Sequence, residues 1–181
     1  MKKITLPLTR ETARTLRSGD KCLLSGTLYT ARDAAHKRLC EALQKGEPLP
    51  VDLKDITIYF AGPAPAAPGQ VIGPCGPTTS YRMDAYSPAL IDAGLTGMIG
   101  KGRRNGEVVS AMNGRAVYFG ATGGCGALIA RCIQKAEVVA YPDLGAEAIH
   151  RLEVKDFPVT VIIDSLGNDL YDLGPAQYLA K

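Results

Sequence analysis

No tryptophan occurs in the 181 residues, and aromatic residues make up only 6% of them. Binding of single-stranded nucleic acid needs aromatic platforms along a basic groove, and a net charge of +3 without them does not supply one. No apolar run approaches the roughly 20 residues that cross a bilayer, and Met1-Lys-Lys-Ile is not followed by the continuous apolar stretch of a signal peptide. The expected compartment is therefore the cytoplasm, with neither membrane nor nucleic acid as a partner. Cysteine is present, at Cys22, Cys40, Cys75, Cys125 and Cys132, but without a C-x-x-C pair and in an odd number, which does not suit a disulfide framework. Nor is there ferredoxin-like spacing, so these residues are expected as reduced thiols that hold no metal.

What is present describes one domain over residues 1–181. Hydrophobic residues at 46% and charged residues at 22% suit a globular chain with a sizeable core, and no repeat or low-complexity linker divides it. Thr9 is placed to cap a helix near Glu11 to Arg17 that Gly19 ends, and a strand follows from Lys21 to Gly26. Thr30 is placed to cap a helix from Ala31 to Lys45, with Ala35, Leu39 and Leu43 on one face and Gly46 closing it. Further strands are expected at Ile56–Phe60, Met98–Gly100, Ala116–Phe119, Val138–Ala140 and Val159–Asp164. Helices are expected from Ser87-Pro88 to Gly94, over Glu107–Met112, Ala127–Lys135 and Gly145–Leu152, and Ser165-Leu-Gly-Asn168 is expected to turn the chain into a hairpin strand, Asp169–Leu173. The irregular alternation implies a single mixed α/β domain.

The stretch Gly73-Pro-Cys-Gly-Pro-Thr-Thr-Ser-Tyr-Arg-Met-Asp84 stands apart. Its glycines and prolines exclude a helix or central strand. Thr78, Thr79 and Ser80 then offer hydroxyls, and Arg82 a fork that matches a carboxylate. The stretch reads as an anion-binding loop or, equally, as a proline-rich connection with a surface Arg82–Asp84 pair. Arg32, in a first helical turn, runs against the helix dipole, which suits either an anion there or an Arg32–Asp33 surface pair. His36 one turn later reads as structural. Lys101 lies between Gly100 and Gly102, where the backbone can approach a ligand, while Arg103 and Arg104 read as a solvated basic turn. Gly120-Ala-Thr-Gly-Gly-Cys-Gly126 lacks the Gly-Lys-Ser/Thr ending of a P-loop and reads as a tight strand-to-helix turn near the pocket.

Gly76-Pro-Thr-Thr-Ser-Tyr-Arg-Met-Asp84 resembles the signature of the C-terminal domain, or separate beta subunit, of iron-sulfur class I fumarases and L-tartrate dehydratases. Leu24 to His36, Met98 to Gly102, Gly120 to Gly124 and Phe157 to Asp164 resemble the same family and follow in its order. The resemblance implies a swivelling β/β/α domain and reversible trans addition of water to a small dicarboxylate, fumarate to L-malate or the matching dehydration of L-tartrate, with a methylated fumarate as a further candidate. It implies that Arg32, Arg82 and Lys101 clamp the substrate carboxylates. Thr78 is implied as the proton-transfer residue, although a threonine hydroxyl is a poor base without activation and could instead orient substrate. It implies a four-iron four-sulfur cluster held by a partner alpha subunit, within a higher hetero-oligomer, and an apolar face on this chain to meet that partner. A non-catalytic metabolite-binding or assembly module of the same fold is the other reading.

Overall fold

Short apolar segments set the frame. Among the residues that the computed structural model describes, 1–179, seven strands form one sheet: β1 (Lys2–Thr5), β2 (Lys21–Thr30), β3 (Thr57–Tyr59), β4 (Gly97–Gly100), β5 (Val117–Gly120), β6 (Ile133–Ala140) and β7 (Ile149–Ile163). Their order is β1-β2-β3-β4-β5-β7-β6. Neighbours from β1 to β5 pair in parallel, whereas β7 runs antiparallel to β2, β5 and β6. Because β7 is 15 residues long, its end reaches β5 while its body lies along β2. The pairings β2–β3–β4–β5–β7–β2 thus close a circuit.

Alternation along the central strands divides the core in two. Tyr59, Ile99, Val117 and Phe119 pack with Leu24, Leu28, Phe157 and Val161 on one face. Ile58, Phe60, Met98 and Tyr118 face the other way, onto helices α2 (Asp33–Lys45), α3 (Ser87–Asp92) and α4 (Gly106–Met112), through Leu39, Leu90, Ile91, Val108 and Met112. With both faces covered, β3 and β4 are buried at every position, as strands of parallel sheets are. The mixed α/β expectation holds.

The ends of several elements differ from expectation. The leader also contributes β1, a four-residue strand in which only Ile4 is buried, and Thr9 caps α1 (Arg10–Thr15) by accepting from the Thr12 N–H at 3.2 Å. Strand β2 runs on to Thr30, past a bulge near Gly26, whose φ of 122° and contact with the Leu6 carbonyl leave no room for a side chain. Thr30 is therefore a strand residue that accepts from the His150 N–H, and Arg32, with extended backbone, is the N-cap of α2. Tyr86, not Ser87, is the N-cap of α3, and Ser87 Oγ donates back to the Met83 carbonyl. Helix α5 (Gly126–Ala130) stops short of Lys135 because Ile133 already pairs with Val154. The helix expected over Gly145–Leu152 is instead a 3-10 turn, Pro142–Glu147, followed by the start of β7. The hairpin strand expected after Asn168 is helix α6 (Leu170–Leu179), with only Asp169 bridging back to Ile163.

Candidate active site

In sheets of parallel strands, ligands bind beyond the carboxyl ends of the strands. Here β2 leads into Arg32, β3 into the loop ending at Thr78–Arg82, β4 into Lys101, and β5 into the glycine-rich turn. Each residue implied for the site lies at this one edge of the sheet.

The signature loop is held at several points. The Cys75 N–H donates to the Gly126 carbonyl at 3.1 Å, the Thr78 N–H to Phe60 at 2.6 Å and the Ser80 N–H to Lys101 at 2.9 Å, while Thr79 bridges to Lys101. Tyr59 Oη donates to the Cys75 carbonyl at 2.7 Å. Ser80–Met83 then form one 3-10 turn that points Arg82 outward. The third hydroxyl of the signature is a hub: Tyr118 Oη donates to the Gly102 carbonyl at 2.8 Å, so Ser80 Oγ donates to Tyr118 and accepts the Lys101 N–H at 3.0 Å. Gly100 is required beneath it, since a Cβ there would lie 1.9 Å from Ser80 Oγ.

Arg32 and Arg82 converge on Asp33. Arg82 grips its carboxylate with Nε and Nη2 at 2.8 and 2.7 Å, and Arg32 Nε reaches it at 3.1 Å. Glu147 lies 3.4 Å from the same Arg32 Nε and accepts the Ala34 N–H at 2.8 Å, at the N-terminus of α2. Burial alone would raise the Asp33 carboxyl, but its own backbone N–H and the two arginines outweigh that and hold it below the usual carboxylate range. A Cβ on Gly62 would come within 3.3 Å of Arg32 Nη1, so the arginine lies against bare backbone. Lys101 is exposed, with its Nζ beside Gly123 of the glycine-rich turn. Thr78 is half-buried, just beyond the end of β3 to which its N–H is tied through the Phe60 carbonyl.

Other polar residues depart from their sequence readings. Arg104 is not a solvated turn residue. It is buried between the rings of Phe60 and Tyr118, at 5.3 and 5.2 Å, and pairs with Asp84 at 2.6 Å. The Arg82–Asp84 surface pair therefore does not form, because each partner is taken by another residue. Arg103 is exposed and pairs with Asp172. His36 is buried against Phe60, its Nδ1–H donates to the Arg32 carbonyl at 3.1 Å, and burial pushes its pKa down to about 4. It is neutral at physiological pH, in keeping with a structural role. The Arg32–Asp33 pair does form, but Asp33 read as a surface partner only, Ser80 as one hydroxyl among three, and Glu147 fell in an expected helix that the chain does not form.

The thiols are not grouped as the ligands of an iron-sulfur cluster would be. Cys22, Cys40 and Cys75 are buried, Cys125 and Cys132 partly so, and burial pushes the Cys75 thiol up to about 12. Among the described residues no three Cys, His, Asp or Glu side chains are grouped to hold a metal.

The family model Fumarase C-terminus matches residues 1–174. The chain belongs to that family. As a Fumarase C-terminus domain it is 42% identical over 151 residues to the aerobic class I fumarate hydratase of Escherichia coli, covering 82% of this chain and 28% of the relative. Similarity to fumarate hydratase 2 of Leishmania major is 40% over 156 residues, covering 84% and 28%. The domain thus spans little more than a quarter of the fumarate hydratases it matches. A Methanocaldococcus jannaschii protein with the provisional name L(+)-tartrate dehydratase subunit beta is 38% identical over 172 residues, which cover 91% of this chain and 88% of the relative.

Proposed function

We propose that this chain is the beta subunit of an iron-sulfur hydro-lyase that hydrates and dehydrates a small dicarboxylate, fumarate and L-malate foremost, with L-tartrate as the other substrate to test. The carrying observation is that Arg32, Arg82 and Lys101 are presented with Thr78 at the carboxyl edge of β2–β5, two of them through one shared carboxylate. A diacid needs such a set. Two planar forks and one ammonium fix a flexible substrate and stabilise the charge that grows on its distal carboxylate as the adjacent C–H bond breaks. Thr78, tethered through its N–H to Phe60, is the proton-transfer candidate of the chain. On this reading the cluster belongs to a partner alpha subunit, where its non-cysteine iron supplies Lewis acidity toward the substrate hydroxyl. The near full-length match to a protein named as a beta subunit supports a separate partner. Among the described residues no helix is long and apolar enough to cross a membrane, and the cytoplasm is the compartment we propose.

The test is anaerobic co-expression with the cluster-bearing subunit encoded beside this chain, followed by assay of fumarate, L-malate and L-tartrate with each chain alone and with the pair. Turnover by the pair only is expected, and the preferred diacid names the substrate. Association with a complete cluster but no turnover of these acids would overturn the substrate; no association would leave the metabolite-binding module as the better reading.

A further inference from the structure

Arginine recognises a carboxylate best when its fork is held before the ligand arrives, because less side-chain entropy is then lost on binding. Nothing in the backbone alone fixes Arg82, which rises from a single 3-10 turn with its side chain 40% exposed. Arg32 is the N-cap of α2 and makes no side-chain cap bond. What holds both is one carboxylate. Asp33 engages the side edge of Arg82, Nε and Nη2, and the Nε of Arg32. Both Nη1 groups are left outside these contacts, and the bare backbone of Gly62 lies beside that of Arg32. The backbone of Asp33 is itself fixed in the first turn of a 13-residue helix.

We infer that Asp33 is a positioning residue of the dicarboxylate clamp: its carboxylate locks the Nε edges of Arg32 and Arg82 so that the outer N–H groups of both point at one substrate. The inference rests on the clamp reading given above and adds a residue to it. It also makes a prediction of sign. If Asp33 were only a countercharge, removing it would make the site more positive and strengthen binding of a dianion. As a positioning residue its removal weakens binding, because a freed Arg82, and an Arg32 left with Glu147 as its carboxylate, must be ordered by the substrate itself.

Asp33→Asn and Asp33→Glu are compared with Arg82→Ala in the reconstituted two-subunit enzyme, with KM and kcat measured separately for the preferred diacid. For Asp33→Asn the expected result is a KM raised by about tenfold or more, the scale of a lost charge-assisted contact, beside a melting temperature lowered only by the loss of the ionised Asp33 from the fold. Asp33→Glu keeps the charge but moves it by one methylene, so its KM also rises. A second readout needs no turnover: in the isolated chain, the Nε–H resonances of Arg32 and Arg82 exchange slowly with solvent in the wild type and rapidly in Asp33→Asn. An unchanged or lowered KM in Asp33→Asn, beside a strong loss in Arg82→Ala, would overturn the role of Asp33 alone. If Arg82→Ala is as active as the wild type, the clamp reading itself falls. A lower melting temperature without any change in KM marks Asp33 as structural and likewise overturns the inference.

Discussion

Arg82 lies within the signature, Arg104 pairs with its last residue, Asp84, and both carry the same charge, yet the molecule uses them in opposite ways. Arg82 keeps part of its fork in solvent after gripping Asp33, whereas Arg104 is fully withdrawn, with Asp84, Ser87 Oγ and two aromatic rings around it. A buried guanidinium is tolerable only with its carboxylate in place, and removing one partner of such a pair costs about 3 to 5 kcal/mol. Asp84→Ala is therefore expected to lower the unfolding free energy by that amount, and a urea midpoint equal to that of the wild type would show that the pair does not carry the fold. The sequence could not separate the two arginines, because what distinguishes them is the identity of remote partners. Asp33 lies 49 residues before Arg82, and Glu147 lies 113 residues after the Ala34 N–H it accepts. Local spacing did find Thr9 as a cap.

At the scale of elements, the signature loop and β4 act as one piece. Ser80 joins them by accepting from the backbone of Lys101 and donating to Tyr118 of β5, so a buried hydroxyl positions the backbone of the proposed clamp lysine. Ser80→Ala leaves the Lys101 N–H without its acceptor, while Tyr118 Oη keeps its bond to the Gly102 carbonyl and loses only the one from Ser80, at a cost of about 1 to 3 kcal/mol. The expected outcome is a destabilised chain whose reconstituted enzyme also loses affinity for the diacid, measured by denaturation and by KM. Loss of stability with an unaltered KM would disconnect Ser80 from Lys101. These parts were legible because glycine, proline and hydroxyl residues punctuate them, and β3 to β5 were legible because strands buried on both faces read as continuous apolar runs. Of the long strand β7 only the end, expected as Val159–Asp164, was legible; its start was not, because Ile149-His-Arg-Leu152 suits a helix equally well, and only pairing with β2 and β6 makes it extended. The same limit applies to α6, which was expected as a hairpin strand because Ser165-Leu-Gly-Asn168 reads as a turn, but which follows Asp169, whose carboxylate accepts the Tyr171 N–H.

For the molecule as a whole, the buried polar groups set how it responds to acid. His36 has an ordinary pKa of 6.5 when exposed and about 4 in the fold, because burial penalises its charged form. The unfolded chain therefore takes up this proton from pH 6.5 downward while the native chain refuses it until about pH 4. Stability is fully present above 6.5 and falls across that window, by up to about 3 kcal/mol. His150, lowered by burial as well, adds to the same slope. The carboxylates act later. Asp33 and Asp164 are held below 3.8, so their contributions persist down to that pH and fade only as it falls through their native values. Acid should accordingly weaken this chain in two stages, an imidazole stage between pH 6.5 and 4 and a carboxylate stage below 3.8. Urea midpoints measured from pH 7 to 4.5 on the wild type and on His36→Gln check the first stage. The wild-type midpoint should fall steadily and that of the variant much less, because glutamine keeps an N–H for the Arg32 carbonyl without a titrating ring. Parallel slopes in the two proteins would mean that His36 is already charged in the fold, and that its orphaned Nε2 has found a partner to which it can donate.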